Sequence, residues 1–150
     1  MTTAQLTTGH VGLNVSDLER SIEFYRRALG FEQLRAGGEA GRRFAFLGFG
    51  GAPMLTLWQQ STGGFATETP GLHHLSFQVE SMDQVREIES ALRELSVRFA
   101  YDGVVAHSEG AASGGIFFVD PDGIRLEVYA PAGAEAAPAP SGDAPTCGFF

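Results

Sequence analysis

The sequence predicts an α+β protein made of two βαβββ modules, and three observations carry that reading. A strand that opens on a histidine and runs into a helix occurs twice, three strand candidates follow each helix, and a Gly/Thr/Ser-rich stretch joins the two blocks. The blocks are "HVGLNVSDLERSIEFYRRALGF", beginning at His10, and "HLSFQVESMDQVREIESALRELSV", beginning at His74.

The elements follow in order. Val11, Leu13 and Val15 alternate with more polar residues in the first opening strand, as Leu75, Phe77 and Val79 do in the second. Ser16-x-x-Glu19 and Ser81-x-x-Gln84 read as capping boxes that start the helices. Leu18, Ile22, Tyr25 and Leu29 make one apolar stripe, and Val85, Ile88, Leu92 and Leu95 the other. The strand candidates are "FEQLR", "RRFAFLGF" and "PMLTLWQQ" in the first block, and "VRFAY", "GIFFVD" and "IRLEVYA" in the second. Turn signals such as "AGGEAG", "GGAP" and "DPDG" separate them. The expected organisation is one domain over residues 1–131, with modules at about 8–60 and 72–131 and a linker at 61–71. Residues 132–150 form a Pro/Ala/Gly-rich tail whose composition suits a disordered extension, yet Phe149 and Phe150 suit docking on the protein's own sheet or on a neighbouring chain.

Composition narrows the partners. The 150 residues are 43% hydrophobic and include twelve Phe, enough for a real core. A formal net charge of -8 argues against nucleic acid and anionic membranes, since polyanions repel such a surface. The expected partners are a small-molecule substrate and a second copy of the chain, in a homodimer. A lone cysteine, Cys147, cannot form an internal disulfide. The start "MTTAQLTTGH" lacks the regions of a signal peptide and no apolar run reaches spanning length, so a cytoplasmic location is expected.

Strand parity sorts the side chains. If the apolar sets pack under the helices, His10, Gly12 and Asn14 face the other way, as do His74, Ser76 and Gln78, while His73 falls on the helix side. In the closing strands Met54, Thr56 and Trp58, and Arg125, Glu127 and Tyr129, share the open face. His10, His74 and Glu127 are the residue types of a two-histidine, one-carboxylate metal triad. Such a triad suits ferrous iron best and also accommodates manganese, zinc or nickel. A carboxylate between Leu126 and Val128 is costly to bury without a cation or several donors. Asn14, Met54, Thr56, Trp58, Gln78, Arg125 and Tyr129 are the expected substrate contacts, Arg125 for an anionic group.

Four stretches, "HVGLNVSDLERSIEFYRRALGF", "HHLSFQV", "FFVDPDG" and "IRLEVYAP", resemble the vicinal oxygen chelate superfamily over roughly Thr8 to Pro131. That superfamily includes glyoxalases, extradiol dioxygenases, epimerases, fosfomycin-modifying transferases and bleomycin-binding proteins. The resemblance implies paired βαβββ modules curled into an open barrel around a metal, with ligand positions at His10, Thr56, His74 and Glu127. Thr56 departs from the glyoxalase pattern, which has a stronger ligand there, and Gly12 departs from the transferase pattern. The resemblance to extradiol dioxygenases implies His107 as acid/base, with one extra residue before "GIFFVDPDG" and Phe117 where their signature has tyrosine. His107 lies in the loop "AHSEGAASGG" and reads equally as a solvated loop residue. Three classes stay open. They are an extradiol-type dioxygenase with His107 shuttling protons, a metal-dependent lyase, isomerase or epimerase with Glu127 as ligand and base, and a non-catalytic small-molecule binder.

Overall fold

The computed structural model describes residues 3–148 and 150. The chain divides into two compact units, Met1–Gly63 and Gly64–Phe150.

The first unit contains β1 (Val11–Val15), α1 (Leu18–Leu29), β2 (Glu32–Gly37), β3 (Arg43–Phe49) and β4 (Ala52–Gln59), with sheet order β1-β4-β3-β2. β1 and β4 are parallel, and the other two pairs are antiparallel. Leu13, Val15, Leu55, Leu57, Ala45 and Leu47 are buried on the face toward α1. The helix starts differently from the sequence expectation. Its cap is Asp17, whose Oδ1 accepts from the Arg20 N–H at 3.0 Å, and not Ser16. With Asp17 as the cap, Glu19 stands one residue short of the box position, and its carboxylate pairs with Arg43 of β3. Gln59 Oε1 instead accepts the orphan Leu18 N–H at 2.7 Å, tying the helix start to β4. The buried stripe is also rotated: Leu18, Ser21, Phe24, Tyr25 and Ala28 are inside, while Ile22 and Leu29 are half-buried. Tyr25 draws the face round, because its ring is fully buried edge-on to Phe24 at 5.0 Å and to Phe31 at 6.2 Å.

The second unit repeats the plan with β5 (Leu75–Gln78), α2 (Met82–Glu94), β6 (Val105–Ala106), β7 (Gly114–Val119) and β8 (Arg125–Ala130), in sheet order β5-β8-β7-β6. Again the first and last strands pair in parallel. Here the capping box at Ser81 and Gln84 is complete. Met82, Val85 and Leu92 of α2 and Leu126 and Val128 of β8 are buried together. "VRFAY" does not form the expected strand. It touches β7 through one bridge, Phe99 to Phe118, and leaves the ladder at the Asp102-Gly103 turn, where Gly103 has φ 79°. The pairing resumes at Val105.

The tail belongs to the second unit. Its backbone is tied down by Ala134 N–H to Ala112 O at 2.9 Å, Ala106 N–H to Pro138 O at 2.8 Å and Glu109 N–H to Gly142 O at 2.9 Å. A one-turn helix at Thr146–Gly148 follows. Neither sheet closes on itself, and no helix among the described residues is long and apolar enough to cross a membrane.

Candidate functional site

The most concentrated chemistry lies in the second unit, on the face of β8 opposite α2. Glu127 sits in the middle of β8, bonded to β5 on one side and β7 on the other, in register with Ser76 and Phe117. Because Leu126 and Val128 turn under the helix, Glu127 must turn away from it. Only 3% of the residue is exposed. Its Oε2 accepts from His107 Nε2 at 2.5 Å, and its Oε1 lies 3.7 Å from His74 Nε2. A buried carboxylate is thereby flanked by two imidazoles, which offsets part of its desolvation cost. The second nitrogen of His107 lies 2.8 Å from Ser113 Oγ, which fixes the ring in its loop.

His73 corrects the parity argument. Alternation begins only at Leu75, where β5 starts, so the side chain of His73 is not sent to the helix face. It is exposed, shares a 2.8 Å Nδ1 to Nδ1 hydrogen bond with His74, and accepts from Arg125 Nη1 at 3.2 Å. A guanidinium can only donate. In neutral rings, then, the proton of His73 sits on Nδ1 and is donated to His74 Nδ1, leaving the proton of His74 on Nε2, facing Glu127. Burial pushes the pKa of His74 down, against the upward pull of Glu127, with His73 and Arg125 adding to the downward shift. Neutral imidazole is the form that ligates metals, and for His74 to do so through Nε2 its proton would have to move to Nδ1.

The remaining second-unit residues frame this cluster. The Tyr129 hydroxyl donates to Gln78 Oε1 at 2.9 Å, and the Tyr129 ring lies 5.0 Å from that of His107. Phe117, fully buried, stands opposite Glu127 in the ladder. The tail brings Cys147 within electrostatic reach of Glu127, and burial first, then that carboxylate, pushes its thiol pKa up. Sequence reading did not assign Ser113, His73 or Phe150 to this cluster, because loop and tail positions carry no periodicity to place them.

In the first unit, His10 immediately precedes β1 and is exposed. Asn14 spends its side-chain oxygen on the Gln60 N–H at 3.0 Å, a structural tie. Met54 is 42% exposed, whereas Thr56 is 3% exposed with its Oγ1 lacking a hydrogen-bond partner among the described residues. A Cβ at Gly12 would come within 3.2 Å of that hydroxyl, so glycine leaves the space beside it open. Trp58 stacks at 5.1 Å on Phe44, which contacts Phe46 at 5.2 Å, and Arg35 lies 5.4 Å over Phe44. Phe44 and Phe46 went unassigned, although their parity opposite the buried Ala45 and Leu47 would have found them.

The donor set of the second unit fits a divalent metal in kind: a buried carboxylate and imidazole nitrogen are ligands for iron, manganese or zinc. Among the described residues no three His, Cys, Asp or Glu side chains stand together in metal-holding geometry, and Glu127 is hydrogen-bonded to His107.

His74 and His73 give a direct comparison. Within the ligand proposal, His74→Ala should remove metal binding, while His73→Ala should weaken affinity only about 10- to 100-fold, as loss of an orienting group does. Both should melt close to the parent, since neither side chain is a core residue. Metal titration and thermal melts of the two variants check this, and a His73→Ala loss as large as that of His74→Ala would remove His74 from the ligand set.

Comparison with known proteins agrees with this fold. Residues 7–128 match the model of the Glyoxalase/Bleomycin resistance protein/Dioxygenase superfamily. The chain is 30% identical over 135 residues to a trivalent organoarsenical cleaving enzyme of Bacillus sp. (strain MD1), covering 80% of this chain and 70% of that protein. It is 27% identical over 124 residues to catechol-2,3-dioxygenase of Bacillus subtilis (strain 168), covering 81% of this chain but only 40% of that enzyme. Among solved structures, a glyoxylase/bleomycin resistance protein/dioxygenase domain from Frankia sp. EAN1pec superposes with a TM-score of 0.74 at 30% identity, covering 85% of this chain and 99% of that one. The repeated βαβββ plan and the match across both units lead to one conclusion: the chain belongs to the Glyoxalase/Bleomycin resistance protein/Dioxygenase superfamily.

Proposed function

We propose that the protein is a metal-dependent enzyme acting on a small molecule with two neighbouring oxygens, an extradiol-type dioxygenase. The observation that carries this reading is the buried Glu127 between His107 and His74. His74 and Glu127 are the proposed ligands from the second unit. His10, at the start of the equivalent strand of the first unit, is the third, supplied by the same chain or by a second copy in a homodimer.

Ferrous iron in such a triad would supply open coordination positions for two substrate oxygens and for dioxygen. The chain's own residues do the rest. His107 Nε2 faces Glu127, and with Glu127 otherwise engaged the ring, carrying its proton on Nδ1 toward Ser113 Oγ, would present a free Nε2 lone pair that can accept the proton of a substrate hydroxyl and later return it. Ser113 keeps the ring in place. Arg125 offers a charge for an anionic substituent, and the Thr56 hydroxyl, without a hydrogen-bond partner among the described residues, offers a polar contact. Thr56 in place of a strong ligand disfavours hemithioacetal isomerisation. The relative named as a trivalent organoarsenical cleaving enzyme supports a second reading, cleavage of a trivalent organoarsenical by the same site.

The test is oxygen uptake by the anaerobically reconstituted ferrous protein with a panel of catechols and a trivalent organoarsenical. Ring opening of a catechol should consume one dioxygen per product and give a yellow semialdehyde, and His107→Ala should slow it about a hundredfold or more with metal content unchanged. Uptake with the organoarsenical alone would favour the second reading. No uptake, alongside proton exchange into a hydroxyketone, would move the assignment to a lyase or isomerase.

A further inference from the structure

Phe150 lies on the proposed site, and nothing in the proposed reaction uses it. Thr146, fully buried, anchors the chain upstream of it: its Oγ1 donates to Ala106 O at 2.7 Å, its N–H donates to His107 O at 2.8 Å, and its carbonyl accepts from the Tyr101 hydroxyl at 3.3 Å. From that anchor the chain carries Phe150 onto the cluster. The Phe150 ring meets Phe117 edge-on at 5.0 Å, His74 at 5.6 Å and His73 at 6.5 Å, and Arg125 places its guanidinium 5.9 Å from the ring centre.

This cup has a definite preference. Its walls are an aromatic face, two imidazoles and a cation, so it takes a planar aromatic ring, best one bearing negative charge toward Arg125. A phenyl group already fills it. We propose that Phe150 is a built-in competitor that occupies the aryl subsite beside His74, so that an aromatic ligand binds only when the Phe150 ring leaves the cup. The proposal rests on the reading of the His74 and Glu127 face as the substrate site. The anchor and the occupant are also separable. The strand-tying bonds at Ala134, Pro138 and Gly142 lie upstream of Thr146, so the segment beyond it can move without unpairing the sheet.

A ligand that must displace an internal occupant shows an affinity lowered by the fraction of open molecules. The probe is 4-nitrocatechol, read by its own absorbance, with the manganese-loaded and the metal-free full chain. Phe150→Ala should bind it about tenfold more tightly than the parent, and Phe150→Trp should bind it more weakly. In the parent, 4-nitrocatechol should speed hydrogen exchange at Gly148, whose N–H is bonded to Pro145 O, more than at Thr146. Equal affinities in all three proteins, or weaker binding by Phe150→Ala, would overturn the competitor and leave the proposed function standing. No binding by any of the three, with thermal melts unchanged, would overturn the site reading and the competitor with it.

Discussion

Replacing Glu127 by Gln should abolish metal binding while leaving the fold in place. The substitution keeps the side-chain volume in a strand bonded on both sides, so Leu126 and Val128 stay packed under α2. What changes is charge. The carboxylate is the single anionic ligand proposed, and an amide offers a divalent cation only a weak carbonyl oxygen. Since groups that merely orient a ligand cost roughly 10- to 100-fold in affinity, loss of the charged ligand should cost on the order of a thousandfold or more. Competition with a chromophoric chelator under anaerobic conditions measures it. The metal-free melting temperature should stay near the parent's or rise, because an amide is cheaper to bury than a carboxylate and can still hydrogen-bond His107. Metal affinity within tenfold of the parent would remove Glu127 from the ligand set.

The largest stability loss should come from Gly115→Ala. Gly115 lies in β7 opposite Tyr129 of β8, and a Cβ there would meet Val128 O at 2.0 Å and Tyr129 Cα at 2.6 Å. Both are backbone atoms of a central strand, so nothing flexible can give way. Relief requires β8 to part from β7 at the strand that carries Glu127. Overpacking of a fitted interior usually costs about 1–3 kcal/mol, and rigid backbone on the far side places this site at or beyond the upper end. That is a large fraction of the stability of a domain this size. Gly63→Ala is the matched control, since its Cβ would meet nothing within 4 Å. Denaturant melts of the two variants should differ by several-fold in folding free-energy change; equal midpoints would mean the two strands are loosely joined.

How legible the protein was depends on which residues carry periodicity. The alternation in "HVGLNV" and "IRLEVY" placed Leu13, Val15, Leu126 and Val128 under their helices and turned Glu127 away, because an ideal strand leaves no other choice. The same rule failed at His73, which precedes its strand and is positioned by hydrogen bonds to His74 and Arg125 instead. The first capping box failed because Asp17, one residue later than Ser16, takes the cap, which leaves Glu19 outside the box position and paired with the distant Arg43. Around Glu127, His107 was reached through the resemblance, whereas Ser113 and Phe150 arrive from a loop and a tail whose composition says nothing about where they dock.

The hydrogen bond from Ala106 to Pro138 has a consequence for how molecules meet one another. β6 is the outer strand of its sheet, and an outer strand with free amides and carbonyls is a template on which another polypeptide can add itself. The tail occupies that edge, and proline, lacking an amide hydrogen, does not extend the ladder outward. The chain thus uses its least regular segment to stop its own sheet from growing. A segment that composition alone would assign to disorder therefore caps this outer strand.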